Sequence, residues 1–348
     1  MTTATPPLGT RPQHGPMAWV GAFTGFYPAS ATDLTGLDPV ARFLYAARSV
    51  ILVISAQAAG IAGLLAATDR RFQVAPFLLV FIGFVVLHAI SNLSNDYFGY
   101  RRGHDTPDSP RRRYTLHPVA SGAFSMRFLA GGLVVLAIVA AGIGVYFVVL
   151  RGWPAVVLAA VGALLLWSYD AAPRALKELG LGEVAAFLVW GPLMIGGGYF
   201  VITGRWSGAA VLASVSYGLG VASILIGKHI DQRAFDTSQH QNTLPVLLGE
   251  RGARILNQAV VLAMYVVAAV AVALGALSPL VALVLLAVPR AARAVRVMAR
   301  PAPAAAPPGY VGWPLWYHRV CLVHNRAFGW LLLAGLALGA IWPSLLLR

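Results

Sequence analysis

Residues 74–99 read VAPFLLVFIGFVVLHAISNLSNDYFG. From Val74 to Leu87 there is no charged or strongly polar side chain, and the whole run is long enough to cross a hydrocarbon core of about 30 Å as a helix rising about 1.5 Å per residue. The character then changes within the same run. On a helix, His88, Asn92 and Asp96 stand four apart on one stripe, with Asn95 beside them. Facing lipid, that stripe would be costly, so it faces a bundle interior or a cavity, and an ionisable residue in such a place marks a functional site. This stretch therefore predicts a membrane helix whose end carries chemistry.

The rest of the chain agrees. Of 348 residues, 58% are hydrophobic and 11% charged, against about a quarter charged in a soluble domain, which excludes a soluble enzyme and, with so much apolar sequence, a disordered chain. Apolar runs between breakers predict an all-α polytopic membrane protein with nine spans near 46–67, 74–95, 128–150, 153–168, 184–202, 208–227, 255–274, 277–289 and 327–346. The eighth is short enough to be a half-buried helix instead, and the Pro/Ala-rich segment 300–308 reads as a loop. Residues 1–40 read as a flexible cytosolic tail rather than a signal peptide, and 41–348 as the catalytic bundle. One cysteine, Cys321, excludes a disulfide framework or cysteine-based metal cluster within one chain.

Net charge is +14, which in a soluble protein would suggest nucleic acid; here topology explains it, and no nucleic-acid partner is expected. With the N-terminus cytoplasmic, only Arg70, Arg71, Arg151, Arg205 and Arg348 of the 26 Lys and Arg fall outside. Asp96, Asp105, Asp108, Asp170, Glu178, Glu183, Asp231, Asp236 and Glu250 flank three of the same inner loops. Loops must be polar in any case, but here the polar residues climb into the apolar helices.

After the first helix end comes YRRGHDTPDSPRRR, residues 100–113, alternating carboxylates with arginines. Mg2+ takes one or two carboxylates plus substrate phosphate oxygens, and arginines grip the same phosphates, so the pattern describes a diphosphate site. A second place is IGKHIDQRAFD, residues 226–236, where Lys228, Asp231 and Gln232 share a helical face and Asp236 follows. Two acidic helix ends can share one metal cluster. Spacing alone adds Asp231 and Asp108 as metal ligands, and the cations flanking these carboxylates, Arg101, Arg102, Lys177, Lys228 and Arg233, with Asn92 on the stripe, are the expected diphosphate contacts. Lys177 and Arg174 serve equally as topology signals.

At these residues the chain resembles the UbiA-type intramembrane prenyltransferases, in particular the branch that prenylates dihydroxynaphthoate. The family pattern Asn-Asp-x-x-Asp, extended to Gly-x-Asp, is met by Asn95, Asp96, Gly103 and Asp105, with Gly99 where the second aspartate belongs. HPVASG at 117–122 resembles the family's Arg-Pro-x-x-x-Gly, with His117 replacing Arg. LGLGE at 179–183, GPLM at 191–194 and NTLPVLLG at 242–249 match further stretches, while the second acidic motif keeps only Asp236 in register.

The resemblance covers about residues 41–275. It implies a nine-helix bundle with a polar cytoplasmic cap in a bacterial-type cytoplasmic membrane. There Mg2+ and basic residues ionise a prenyl diphosphate drawn from among the membrane lipids, and an apolar chamber shelters the cation from water. Asp96, Asp105 and Asp236 are implied as metal ligands and catalytic carboxylates, joined by Asp231 from spacing, with Asn92 and Asn95 in support. Two outcomes share this cation: transfer to an aromatic or other lipophilic acceptor, toward which family frequency leans, or cyclisation by a terpene cyclase. A non-catalytic lipid-binding protein is the third reading. Arg48, at the start of the first span, and the bundle aromatics Trp167, Trp190, Tyr199 and Tyr217 stay open between site and scaffold roles. His318 and His324 read as interfacial anchors, and the row Arg290, Arg293, Arg296 as a basic helix attracted to anionic lipid.

Overall fold

Helices supply all the regular structure among the described residues, 14–24, 31–310 and 312–342, of the computed structural model. In chain order α1 (Gly15–Thr24), α2 (Ala31–Thr35) and α3 (Pro39–Ala46) lead into α4 (Ser49–Thr68) and α5 (Val74–Arg101). Then come the short α6 (Pro110–Tyr114), α7 (Met126–Arg151) and α8 (Trp153–Asp170). The next crossing, Gly182–Thr203, is composite: α9 (Gly182–Leu188), a π-helical stretch (Val189–Gly197) and α10 (Gly198–Thr203). Pro192 sits inside the π-helical stretch, where a widened turn absorbs its missing N–H and its ring. Finally α11 (Gly208–Ser238), α12 (Leu244–Ala273), a 3-10 run (Pro279–Ala287) merging into α13 (Val288–Met298), and α14 (Tyr317–Ile341) complete the chain.

Among the described residues eight of these helices are long and apolar enough to cross a membrane: α4, α5, α7, α8, the composite helix, α11, α12 and α14. This is an integral membrane protein. The ninth expected span, 277–289, is too short to cross as a 3-10 run alone, but it continues without a break into α13 and returns along α12: Ser278 lies against Gly339 near the end of α14, while Met298 O meets Arg254 Nη1 near the start of α12. Several helices also outrun their apolar windows. The α5 helix continues to Arg101 and α11 to Ser238, carrying both acidic motifs on helix, while α12 starts at Leu244 and breaks at Gly249, whose φ is 70°. Only 6% of the apolar window of α7 is buried, against 67% for the composite helix and for α11, so α7 shows its sides to lipid and the other two form the interior.

Two compact units are distinguished: residues 1–53 with 86–140, and 54–85 with 141–348. In the first, the expected tail includes helix. Asp38 caps α3 through the Ala41 amide (2.8 Å), and the same carboxylate accepts from Gly15 N (2.8 Å) and Trp19 Nε1 (3.1 Å), tying α1 down. The bond from Ala41 holds the Asp38 carboxyl below its ordinary value. Tail residues 1–13 and 25–30 lie outside the described residues.

The core of the second unit includes Ile61, Ile195, Ile202, Tyr217, Met264 and Phe328. One tight seam joins the composite helix to α11, where a Cβ on Gly191 would stand 2.7 Å from Ser214 O and one on Gly218 2.9 Å from Phe187 O. Small residues let backbones approach in this way inside membranes, where water does not drive helices together. The open aromatics serve this scaffold. Trp190 Nε1 donates to Ser55 Oγ (2.9 Å), Tyr217 OH to Ile54 O (2.8 Å) and Tyr199 OH to Asp69, while Trp167 is 53% exposed.

Candidate active site

In the first unit the chain breaks between α3 and α4, and Arg48 takes a left-handed backbone with φ 54°. That conformation costs a non-glycine residue about 1 kcal/mol and is held from both sides. Asn92 Nδ2, on the polar stripe of α5, donates to Ala47 O (2.9 Å), and Ser49 Oγ donates to Leu44 O (2.7 Å). The break sends the Arg48 guanidinium to Asp96, with which it makes a direct ion pair. On the other carboxylate oxygen, Arg111 Nη2 of α6 lies 3.4 Å away. Burial works against the charge of Arg111, but facing Asp96 outweighs it and holds the guanidinium above its ordinary pKa.

His117 completes the cluster with a fixed tautomer. Its Nδ1 accepts from Val119 N (3.2 Å) and Ala120 N (3.1 Å), so the ring proton sits on Nε2. That nitrogen is fully buried, 3.1 Å from Asp105 Oδ2 and 3.8 Å from Asp96 Oδ1, without the alignment of a hydrogen bond. Asp105 reaches it because α5 ends in a Schellman turn: His104 N bonds Gly99 O (3.0 Å), Gly103 N bonds Tyr100 O (3.1 Å), and Gly103 supplies the left-handed φ of 76°. The chain thus doubles back and lays the Asp105 carboxylate over Gly99. Arg48 Nε, Arg111 Nε and Nη1 and His117 Nε2 remain buried without acceptors. Two carboxylates therefore sit among buried N–H donors whose missing acceptors the oxygens of an anion would supply.

In the second unit Lys177 Nζ bonds Asp170 Oδ1 (2.6 Å), and Glu183 Oε1 of α9 bonds His229 Nδ1 of α11 (2.7 Å), with Glu183 Oε2 buried and unpaired. Asp236 accepts from Thr243 Oγ1 (3.1 Å). Asn242 N donates to Glu178 O (3.0 Å), so the segment 242–249 is joined in space to the residue just before the stretch 179–183.

Several expected site residues take other places. Asp231, expected as a metal ligand, caps a helix: its two oxygens accept the amides of Tyr317 and His318, both at 2.9 Å, at the start of α14. Asn92 braces the helix break through its Nδ2. Lys177 is spent on Asp170. Arg101 and Asp108 are exposed, outside the cluster, while Arg102, Lys228, Arg233 and Asn95 are half-buried. His324 is not interfacial but fully buried, against Tyr265 OH at 2.8 Å. Sequence reasoning passed over Arg111, one of three consecutive arginines, and the Glu183–His229 and Asp170–Lys177 pairings. Asp231→Ala should destabilise the protein by roughly 1–2 kcal/mol, as loss of a cap does, with turnover per folded molecule nearly unchanged; thermal unfolding beside activity checks this.

Residues 57–313 match the model of the UbiA prenyltransferase family. The chain belongs to that family. It is 26% identical over 200 residues, 55% of this chain and 63% of the relative, to the 1,4-dihydroxy-2-naphthoate octaprenyltransferase of Haemophilus influenzae. It is 28% identical over 199 residues, 56% of this chain and 62% of the relative, to the 2-carboxy-1,4-naphthoquinone phytyltransferase of Synechocystis. The chain thus spans under two thirds of the length of these curated relatives. An apo UbiA homolog from Aeropyrum pernix shares the fold, with TM-score 0.56 and 19% identity over 82% of this chain and 97% of that one. A digeranylgeranylglyceryl phosphate synthase structure shares it with TM-score 0.55 and 16% identity over 86% and 97%.

Two residues of the cluster around Asp96 depart from the pattern the resemblance gave, His117 standing for its Arg and Gly99 for its second aspartate. A Cβ at Gly99 would stand 2.7 Å from Asp105 Oδ2, so the space where a side chain at 99 would begin holds the Asp105 carboxylate. Among the described residues no three His, Cys, Asp or Glu side chains form a group able to hold a metal alone. Mg2+ does not need one, because it takes one or two carboxylates and completes its shell from waters and substrate oxygens. Asp96 and Asp105, both neighbours of His117 Nε2, fit that requirement.

Proposed function

We propose that this chain binds the diphosphate of an allylic prenyl diphosphate at the Asp96 cluster, breaks its C–O bond and passes the prenyl group to an aromatic acceptor. The observation that carries this reading is the set of buried, acceptor-less N–H groups of Arg48, Arg111 and His117 around Asp96 and Asp105. A buried donor left unpaired costs about 1–3 kcal/mol, and a diphosphate supplies the missing acceptors. As the C–O bond breaks, both its electrons leave with the diphosphate, and donors aimed at those oxygens stabilise the charge growing there. Arg48 and Arg111 bring fixed positive charge, and His117, held as the Nε2–H tautomer by the Val119 and Ala120 amides, presents that N–H as a further donor. Mg2+, when bound, would add positive charge beside the diphosphate, and Asp96 and Asp105 are the residues that would hold it. The apolar helices keep water from the carbocation until a ring carbon of the acceptor attacks and the ring loses a proton.

Family membership and relatives named for naphthoate and naphthoquinone substrates support an aromatic bicyclic acceptor. The distribution of arginines supports an N-terminus and polar cap on the cytoplasmic side. Purified protein supplied with Mg2+ and a series of prenyl diphosphates, with and without 1,4-dihydroxy-2-naphthoate, tests the proposal. A prenylated naphthalene formed only with acceptor is expected. A cyclic hydrocarbon made without acceptor would replace transfer with cyclisation, and intact diphosphate under every condition would remove the enzymatic reading.

A further inference from the structure

The segment from Pro279 to Arg300 changes its exposed chemistry along one continuous helical path. In its 3-10 part Leu285 and Leu286 are 57% and 62% exposed, and Val288 follows, so apolar side chains point outward as they do toward lipid tails. From Arg290 to Arg300 the exposed long side chains are arginines, with only the small Ala292 and Ala299 exposed between them. Arg290, Arg293 and Arg296 are all exposed on α13, and exposed Arg300 follows it. Ala291, Ala294 and Met298, on the opposite face, are buried. That face is fastened to α12, through Arg254 Nη1 to Met298 O (3.1 Å) and Gln258 Nε2 to Val295 O (2.9 Å), so the arginine row is held in place rather than carried on a loose loop.

Nothing in this part of the chain balances the row. No Asp or Glu follows Glu250 in the sequence, and Glu250 itself lies beside Arg254 at 3.4 Å. Arg290 and Arg293 make no ion pair among the described residues, and Arg296 Nε donates only to its own helix at Ala292 O (3.2 Å). The switch from exposed Leu and Val to exposed Arg within a few residues marks the level where acyl chains give way to headgroups. A row of guanidiniums at that level meets phosphates first.

We propose that the outer face of α13 is a binding surface for anionic phospholipid, with Arg290, Arg293 and Arg296 engaging the headgroup phosphates. The inference is independent of the reaction proposed above. Each arginine near an anionic surface strengthens association about fivefold, less as salt screens it.

The test uses the full chain reconstituted in phosphatidylcholine vesicles containing a minor fraction of spin-labelled phosphatidylglycerol or spin-labelled phosphatidylcholine. The protein-bound fraction of each label is read by electron spin resonance. Wild type is expected to select phosphatidylglycerol several-fold over phosphatidylcholine, with the preference falling at 1 M NaCl. The triple change Arg290→Gln, Arg293→Gln, Arg296→Gln should remove most of it, and the triple change to Lys should keep it, because charge at the headgroup level is what matters. Should the triple Gln variant not fold, Arg293→Gln alone is expected to lower selectivity by up to about fivefold. Equal binding of the two labels by wild type, or undiminished selectivity in a folded Gln variant, overturns the proposal. So would tight binding of soluble polyglutamate by detergent-solubilised wild type without any lipid selectivity, which would point to an acidic protein instead.

Discussion

Asp96→Ala is expected to lower prenyl diphosphate turnover by at least about a hundredfold and also to destabilise the fold, by roughly 3–5 kcal/mol if both cations stay buried. Both effects have one origin. Asp96 is 2% exposed and stands between the guanidiniums of Arg48 and Arg111, themselves 18% and 11% exposed. Removing the carboxylate leaves two positive groups in a largely dry site with no counter-charge, and on the proposed function it removes one of the two carboxylates that would hold Mg2+. Pairing the change with Arg111→Ala separates the contributions. The double variant should recover part of the lost thermal stability, because one stranded cation is gone, while turnover stays low. Thermal unfolding in detergent and product formation, measured on the same preparations, give both numbers. Normal turnover by folded Asp96→Ala protein would sink the assignment of Asp96 to the reaction.

Much of the first cluster was legible because it is local. The stripe of His88, Asn92 and Asp96 needs only the helical repeat, and Asp105 lies just past the end of the same helix, turned back by Gly103. The apolar runs likewise located eight crossings, since hydropathy over about 20 residues is a property of the segment itself. What escaped depends on partners far along the chain or on one backbone angle. Arg48 reaches Asp96 through a left-handed residue between α3 and α4, which no propensity of arginine announces. Arg111 cannot be told from Arg112 and Arg113 until α6 turns it inward. Asp231 shares a helical face with Lys228, as its spacing said, yet its oxygens are claimed by amides at residues 317 and 318, a cap supplied across helices. Asn92 shows the same dependence on a distant partner: its Nδ2 serves the Ala47 carbonyl at the break between α3 and α4. Glu183 and His229 lie 46 positions apart in sequence, a pairing no local pattern encodes.

Gly99 offers the second large effect, because there a single added carbon should disturb the site. A Cβ at this position meets Asp105 Oδ2 at 2.7 Å, while the atom it meets is the tip of a side chain that can swing away. Gly99→Ala should therefore fold nearly as wild type yet displace the Asp105 carboxylate from His117, lowering turnover about tenfold and raising the Mg2+ concentration needed for half-maximal rate. Gly99→Asp should do no better, since it sets a second negative charge against Asp105 at close range. Asp105→Asn, which keeps the shape and loses the charge, should raise the Mg2+ requirement strongly. The informative variant combines Gly99→Asp with Asp105→Gly. If Asp105 stands in for a carboxylate at position 99, moving the carboxylate back should restore most of the rate and the Mg2+ sensitivity that either single change removes. Mg2+-dependent thermal stabilisation in the presence of an unreactive diphosphate analogue gives a readout separate from turnover and should follow the same order. A large gain from Gly99→Asp alone, with Asp105→Asn indifferent, would mean that the glycine marks a weakened metal site rather than one rebuilt around Asp105.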